Sequence, residues 1–148
     1  MTDAREGVFW DVIAGRRPLP AVLSLLGWQV LHAEPGRVSA SFRGTPDFYN
    51  PGGFVQGGIL AAMLDGVMGS AAVSVLGQDE TVTTLDMNLS FMRPVRDVKL
   101  IAEGRVVQRG GSVVFMDGTL TLEDGSLVAT ATATGRIVRL SDAANREE

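Results

Sequence analysis

The residues of this chain that are equipped for chemistry lie in, and just before, one long apolar segment. A glycine-rich loop at residues 50–58 leads into an apolar run that carries a single carboxylate, Asp65. Burying an unpaired carboxylate is costly, so an acid on such a segment is expected either to be paired or to have a function. Gly57 and Gly58 open the segment, and unpaired amides at a helix start favour negative charge developing on an oxygen. The pattern therefore predicts an oxyanion hole associated with a catalytic acid.

The spacing between these groups places a constraint on how they can work together. Asp65 lies eight residues beyond Gly57, which is about 12 Å along a helix axis. Asp65 therefore cannot reach a carbonyl group held at the start of its own helix. Two such helices running antiparallel would bring Asp65 of one chain to the Gly57 amide of the other. The helix geometry thus predicts a symmetric dimer with two sites at its interface.

Each candidate residue also has a purely structural explanation, and these alternatives stay open at this point. Asp65 can accept hydrogen bonds from Ser or Thr neighbours, and the two glycines can serve as a helix entry and close-packing device. Asn50 suits a turn and Gln56 suits a helix cap. Thr84, taken alone, is an ordinary strand residue.

Composition limits the classes of function. The 148 residues are 45% hydrophobic, which predicts a single domain spanning residues 1–148 with a polar tail from about residue 141. With 17 acidic against 13 basic residues, the chain lacks the basic field of a nucleic-acid-binding protein. It has no cysteine, and its mixed-charge N-terminus does not resemble a signal peptide, so we expect a cytoplasmic location.

The pattern of elements predicts an α+β fold. The stretch 57–77 is long enough to span a bilayer, but Asp65 near its middle would cost about 2.5–3.5 kcal/mol on insertion scales, so a buried helix apolar on all sides is favoured. Short helices are expected within the first ~14 residues and at 18–26. Strands are expected at 28–33, 37–42, 81–92, 98–108, 113–122 and 127–140. The short connections between the last four predict that each pairs with the next along the chain. An antiparallel sheet of about six strands would curl around the helix, and the small residues of 128–135 would permit close approach.

Two motifs in this order resemble a known family. The loop and helix with Asn50, Gly57-Gly58 and Asp65, followed by residues 84–94 (Thr-Leu-Asp-Met-Asn-Leu-Ser-Phe-Met-Arg-Pro), resemble the hotdog-fold acyl-CoA thioesterases of the phenylacetate-pathway (4-hydroxybenzoyl-CoA thioesterase) type. The resemblance covers about residues 20–140. It implies hydrolysis of acyl or aryl thioesters of coenzyme A without metal or cofactor. It also implies homodimers that commonly pair into tetramers.

The resemblance further implies a role for each matched residue. Asp65 would be the nucleophile or the general base that activates water, and the Gly57 amide would polarise the thioester carbonyl with help from Asn50. Thr84 falls where related enzymes place a hydroxyl near the attacking water. Gly58, Phe91 and Arg93 would contact the acyl-CoA.

One position departs from the family pattern. The family usually has His-Gly-Gly at the helix start, whereas this chain has Gln56-Gly57-Gly58. Gln56 can donate a hydrogen bond but cannot transfer a proton, although a thiolate with a conjugate-acid pKa of about 8.5 leaves without such help. A hydratase of the same architecture would need a histidine near the helix, and the single histidine, His32, lies far from it in sequence. The remaining alternative is a non-catalytic acyl-CoA-binding regulatory protein.

Overall fold

A six-stranded antiparallel sheet and one long helix form the body of the protein. The structure, a computed structural model, describes residues 5–145. The helices are α1 (Val8–Ile13), α2 (Ala21–Leu25), α3 (Gly57–Val73) and α4 (Leu140–Ala144). The strands are β1 (Gln29–Glu34), β2 (Arg37–Arg43), β3 (Glu80–Phe91), β4 (Lys99–Arg109), β5 (Val113–Thr121) and β6 (Leu127–Arg139). The sheet curves around α3, which confirms the predicted hotdog fold.

Helix α3 is buried along one face and partly open along the other. The buried side chains recur at helical spacing and pack against the sheet: Leu60, Met63, Leu64, Val67, Met68 and Ala71. The opposite face, which includes Ala62, Asp65 and Gly69, is only half-buried. The sequence predicted burial on all sides, but within one chain the sheet covers only one side. The other face is apolar yet uncovered by this sheet. No helix within residues 5–145 is long and apolar enough to cross a membrane.

The order of the strands corrects one prediction. The sheet runs β1-β2-β4-β5-β6-β3, so β3 pairs with β6 and not with β4. The connection after β3 crosses the end of the sheet instead of making a hairpin. Val95 in this connection is buried, and its carbonyl accepts a hydrogen bond from Val55 N at 2.9 Å. The loop is thus attached to the core, β3 is an edge strand, and β4 lies between β2 and β5.

The two ends of the chain also differ in detail from the predictions. Of the segment 18–26, only Ala21–Leu25 is helical, because Pro20 precedes the helix as its N-cap. The segment from about residue 141, predicted as a polar tail, begins within the short helix α4 (Leu140–Ala144), which the sequence did not predict. Ser141 Oγ lies 3.0 Å from Asp79 Oδ2 and ties this helix to the turn before β3. Residues 146–148 lie outside the described part of the chain.

The helix lies closest to the sheet at a pair of glycines in neighbouring strands. Gly104 of β4 pairs with Gly118 of β5. A Cβ atom at Gly104 would lie 2.6 Å from the carbonyl carbon of Val67 and 2.8 Å from Met68 N. The alanines 129, 131 and 133 of β6 are also buried, as the small-residue segment 128–135 predicts. The tightest approach, however, lies over β4.

Replacing Gly104 with alanine should destabilise the protein strongly, because the added methyl group meets helix backbone that cannot rotate away. We expect a loss of at least ~2 kcal/mol in the free energy of unfolding, measured by urea denaturation. Gly111→Ala is the matched control, since a Cβ there meets no atom within 4 Å. A Gly104→Ala protein as stable as the control would contradict the close packing of α3 on β4.

Candidate active site

The acid and a hydroxyl group meet on the open side of α3. Thr84 Oγ1, on β3, donates a hydrogen bond of 2.7 Å to Asp65 Oδ1. Both residues are half-buried. Thr84 bonds only to Oδ1, so Oδ2 of Asp65 takes no part in this hydrogen bond. The bond holds the carboxylate where the helix meets the edge strand. The structure therefore brings together two of the residues that the sequence selected.

A β-bulge makes this meeting possible. Phe91 lies seven positions after Thr84, so an unbroken strand would point the two side chains to opposite faces of the sheet. The register of β3 against β6 shifts between Thr84 and Asp86, which inserts one extra residue and reverses the alternation. Leu85, the inserted residue, is 57% exposed. As a result, Thr84 before the bulge and Phe91 after it both face α3.

The start of α3 presents free amide groups beside an aromatic ring. Ile59 N and Leu60 N donate to Gln56 O, whereas Gly57 N and Gly58 N find no acceptor among residues 5–145. The Phe91 ring packs against the start of α3, as the position of Gly57 shows. A Cβ atom placed on Gly57 would lie 3.5 Å from Phe91 Cζ. The amides of the helix start are thus available, next to an apolar wall, to an oxygen with developing negative charge.

The side chain of Gln56 does not cap the helix. Its backbone takes the N-cap position, with N donating to Phe48 O at 2.8 Å, but its side chain makes no capping hydrogen bond and is exposed. The cap explanation left open by the sequence therefore fails for the side chain. Gln56 remains available as a hydrogen-bond donor next to the Gly57 amide.

Asn50 has a structural task in the preceding loop. Its Oδ1 accepts hydrogen bonds from Gly52 N at 2.9 Å and from Phe54 N at 3.2 Å, which is the turn chemistry that the sequence offered as an alternative. The side-chain oxygen is therefore occupied. Only its Nδ2 group is left to assist a substrate, so Asn50 acts first by shaping the loop that leads into α3.

Arg93 lies beside the turn between β5 and β6. Its backbone N–H donates to Val128 O at 3.3 Å. Hydrogen bonds from Ser126 and, to a smaller degree, the charge of Arg93 lower the pKa of Asp124. The structure thus places the Arg93 charge near Asp124 and does not bring it to Asp65.

A second arginine of the same loop, Arg96, was not among the residues predicted from the sequence. The Arg96 guanidinium carbon lies 4.7 Å from the centre of the Phe54 ring, beside the turn organised by Asn50. This stacking holds a cation close to the glycine-rich loop. The only signal in the sequence was the pair of arginines flanking Pro94-Val95, which does not say which of the two turns towards the loop.

Other chemistries find little support in this arrangement. Within residues 5–145 no three potential metal-ligating side chains cluster together. His32 is exposed on β1, at the opposite edge of the sheet from β3, and its Nε2 lies 4.0 Å from Glu34 Oε2. It therefore cannot act together with Asp65 within one chain.

Asp65 and the free amides do not meet within one chain. They sit on the same helix, eight residues apart, which corresponds to about 12 Å along the axis. β3, which carries Thr84 and Phe91, is an edge strand with one side unpaired by the sheet. The open face of α3 and the free edge of β3 thus lie side by side.

Comparison with known proteins identifies a family by sequence. The model of the thioesterase superfamily matches residues 52–129, from the glycine-rich loop to the start of β6. A relative from Saccharolobus solfataricus, named as a candidate esterase, is 27% identical over 118 residues, which cover 80% of this chain and 84% of the relative.

Two solved structures resemble this chain in fold, and one of them also resembles it in sequence. A crystal structure from Ralstonia eutropha JMP134, described as a candidate thioesterase and phenylacetic acid degradation-related protein, is 38% identical, with a TM-score of 0.82. The match covers 86% of this chain and 98% of that one. The PaaI protein of the E. coli phenylacetic acid degradation operon is 18% identical with a TM-score of 0.79 over 88% of this chain and 93% of its own, which shows the shared fold.

Replacing Thr84 with valine removes the hydroxyl group that holds Asp65 while it preserves the shape of the side chain. A hydrogen bond to a charged group contributes about 1.5–3 kcal/mol when buried, and because this pair is half-buried we expect a loss of about 1 kcal/mol in the free energy of unfolding. Urea denaturation at a fixed protein concentration measures it. Thr84→Ser keeps the hydroxyl and should lose less; equal or reversed losses would show that the hydrogen bond does not stabilise the protein.

Proposed function

The chain belongs to the thioesterase superfamily, and from this premise we propose that it hydrolyses acyl-CoA or aryl-CoA thioesters to the free acid and coenzyme A. The observation that carries the proposal is the placement of Asp65. It is the only carboxylate of α3, it lies on the face that the sheet leaves open, and a hydroxyl group orients it. A structural acid would be expected to have both oxygens satisfied in the core.

The proposed chemistry needs an activated nucleophile, an oxyanion site and a leaving group. Asp65 either takes a proton from water as the water oxygen attacks the thioester carbon, or attacks that carbon itself and forms an anhydride that water then hydrolyses. The carbonyl oxygen becomes negative and accepts a hydrogen bond from the Gly57 N–H. Collapse of the tetrahedral intermediate breaks the carbon–sulfur bond. The coenzyme A thiolate leaves without an acid catalyst, because a thiol of this kind loses its proton readily. The analogous cysteine thiol has a pKa of about 8.5.

The distance between these groups requires two subunits. We place Asp65 of one protomer against the Gly57 amide of its partner, with the open faces of the two α3 helices antiparallel. The 12-residue edge strand β3 supports this arrangement, because its unpaired side can pair with the same strand of a second copy. Phe91, 51% exposed in one chain, would then be covered at the interface.

The remaining candidates contribute binding and positioning. Gln56 supplies a hydrogen-bond donor beside the oxyanion site, and Asn50 keeps the loop in shape while its Nδ2 remains available to the carbonyl oxygen. Gly58 lets the substrate approach the helix start, since a Cβ there would meet no atom within 4 Å. Arg96, stacked on Phe54, and Arg93 supply positive charge for the phosphate groups of coenzyme A.

A non-catalytic acyl-CoA-binding protein is the second candidate function. The observation in its favour is that the position usually held by histidine carries Gln56, which cannot transfer a proton. This protein would use the same pocket and the same dimer. It differs from the enzyme in one measurable respect, namely that it binds the thioester without releasing thiol.

Substitution of Asp65 separates the two functions. We expect Asp65→Asn and Asp65→Ala to lower kcat by about 10³-fold or more, because both activation routes need the carboxylate. The measurement is release of free thiol from a panel of acyl-CoA substrates. Asp86→Asn, which removes an exposed carboxylate from β3, is the control and should behave as the wild type. Wild-type rates in the Asp65 variants would end the hydrolase proposal, whereas tight binding without turnover by the wild type would establish the binding protein.

Substitution of Gly57 tests the oxyanion site. Gly57→Pro removes the N–H donor at the first helical position, where proline is well tolerated and where the extended Gln56 backbone suits a following proline. We expect kcat to fall by about 10²–10³-fold with the fold intact. Gly57→Ala keeps the N–H and is the matched control, because its Cβ would make only ordinary contact with Phe91.

The substitutions Asp65→Asn and Gly57→Pro together test whether the site is shared between two subunits. When Asp65→Asn and Gly57→Pro subunits are mixed and refolded together, half of the dimers are mixed, and each mixed dimer has one intact site. Activity should return to about a quarter of the wild-type level by this statistical count. Thiol release that stays at the level of the separate variants would show that each site is built from one chain.

A further inference from the structure

An apolar cavity adjoins Asp65. A cavity of about 460 Å³ lies between the N-terminal helices α1 and α2 on one side and α3 with β3 on the other. This volume falls within the range of small-molecule sites in proteins, about 300–1,000 Å³. Asp65 and Thr84 are part of its lining, so the cavity and the catalytic acid share a wall.

The lining of the cavity is apolar away from Asp65. Most of it comes from aliphatic and aromatic side chains, among them Val8, Phe9, Val12, Leu19, Leu23 and Trp28. The polar groups in the lining belong to Asp65, Ser70, Thr81 and Thr84 and to the indole N–H of Trp28, and no lining residue is a cation. Ser70 Oγ already donates to Gly66 O at 2.8 Å. The cavity therefore offers few partners to a hydroxyl group and no positive charge to a carboxylate.

Two glycines of α3 shape the cavity in different ways. A Cβ at Gly66 would lie 2.7 Å from Leu23 Cδ2, so this glycine allows α2 to pack against the helix. A Cβ at Gly69 would meet no atom within 4 Å, although Gly69 lines the cavity. Space next to α3, one turn beyond Asp65, is thus open because residue 69 has no side chain.

The N-terminal helix that closes the cavity is firmly attached. Trp10 Nε1 of α1 donates a buried hydrogen bond of 3.0 Å to Ser74 O at the end of α3. The rings of Phe9 and Trp10 pack edge-to-face at 4.9 Å, and the Arg5 guanidinium lies 4.6 Å from the Trp10 ring. α1 and α2 lie outside residues 52–129, which the family model matches. This wall of the cavity therefore belongs to the part of the chain that the family model does not describe.

We propose that this cavity is the acyl-binding subsite, that it takes an apolar acyl chain or ring without polar substituents, and that the missing side chain at Gly69 and the α1 side chain Val12 set its length. The proposal rests on the proposed function, since it places the thioester carbon at Asp65 and directs the acyl group away from the coenzyme A. The chemistry of the lining selects the substrate class. An apolar chain gains free energy by leaving water, whereas a terminal carboxylate would lose its hydration with no cation to replace it, and a terminal hydroxyl group would lose hydration for few hydrogen-bond partners.

The first arm of the test measures kcat/KM by thiol release for butyryl-, octanoyl-, phenylacetyl-, 4-hydroxyphenylacetyl- and adipyl-CoA. Each buried methylene should raise kcat/KM by about fourfold, so octanoyl should exceed butyryl by on the order of 10²-fold. The hydroxylated ring should fall below the unsubstituted ring by about tenfold or more, and adipyl further. Equal rates across the panel, or a preference for the polar acyl groups, would overturn the proposal. The relative rates of octanoyl and phenylacetyl substrates tell whether chain or ring fits better.

The second arm fills the cavity. Gly69→Leu should lower the octanoyl-to-butyryl ratio by at least about tenfold, because the new side chain occupies the space of the distal methylenes, and Val12→Phe should act in the same direction. Gly111→Leu, at a loop glycine that also has no neighbour within 4 Å, is the control and should leave the ratio unchanged. Circular dichroism establishes that the variants are folded. Folded Gly69→Leu and Val12→Phe proteins that both keep the wild-type ratio would refute the assignment.

The third arm separates this proposal from the proposed function. Calorimetry measures the binding of butyryl- and octanoyl-CoA to Asp65→Asn and to Asp65→Asn/Gly69→Leu. Affinity that rises with chain length and loses this dependence in the double variant supports the subsite even when the wild type releases no thiol, in which case only the hydrolase proposal fails. Hydrolysis without any effect of chain length or of Gly69→Leu would leave the enzyme standing and refute the subsite.

Discussion

The architecture depends on direct contact between the backbone of α3 and the backbone of the sheet. At Gly104 the strand has no side chain, and Val67 and Met68 of the helix occupy the space where one would be. Two rigid elements that touch in this way have little freedom to slide or rotate, since interiors are close-packed. The contact therefore determines which residues of α3 face the sheet and which face away. Asp65 falls at the border, within hydrogen-bonding distance of β3 and still accessible from outside.

The edge strand β3 supplies the residues that complete the candidate site beside α3. Its bulge lets a polar residue near Asp65 and an aromatic residue near Gly57 point towards the same helix, although their spacing alone would separate them. The start and the middle of α3 thereby each receive a partner from one strand. The distance of about 12 Å between the acid and the amides nevertheless remains, because eight residues of a rigid helix separate them. A shared site in a symmetric pair is the proposed way to use both groups on one substrate.

The N-terminal helices add what the helix and sheet lack, an apolar enclosure beside the acid. They are short, and neither would be stable in isolation. α1 is held by the Trp10 hydrogen bond to the end of α3, and α2 by the packing of Leu23 where Gly66 makes room. The enclosure thus depends on the position of α3 in the same way as the site does. In the proposed enzyme, α3 therefore positions both the reactive carboxylate and the acyl pocket.

The sequence by itself determined the six strands, the long helix and the family. Strand and helix bounds follow from alternation, apolar runs and turn residues, which are local properties, and the spacing of Gly57 and Asp65 along one helix is equally local. The same is true of the motifs at 50–65 and 84–94, whose family the comparisons confirm. The site roles assigned to these residues remain predictions.

Only the tertiary structure decided which elements are neighbours. The pairing of β3 with β6, the bulge at Thr84 and the position of Arg96 on Phe54 all depend on contacts between segments distant in sequence. The loop 92–98 looks like a hairpin in the sequence, but the pairing of β3 with β6 requires it to cross the end of the sheet. Local patterns specify what a segment prefers to be. Where it lies is determined by the competition of all segments for the same core, which no single stretch of sequence records.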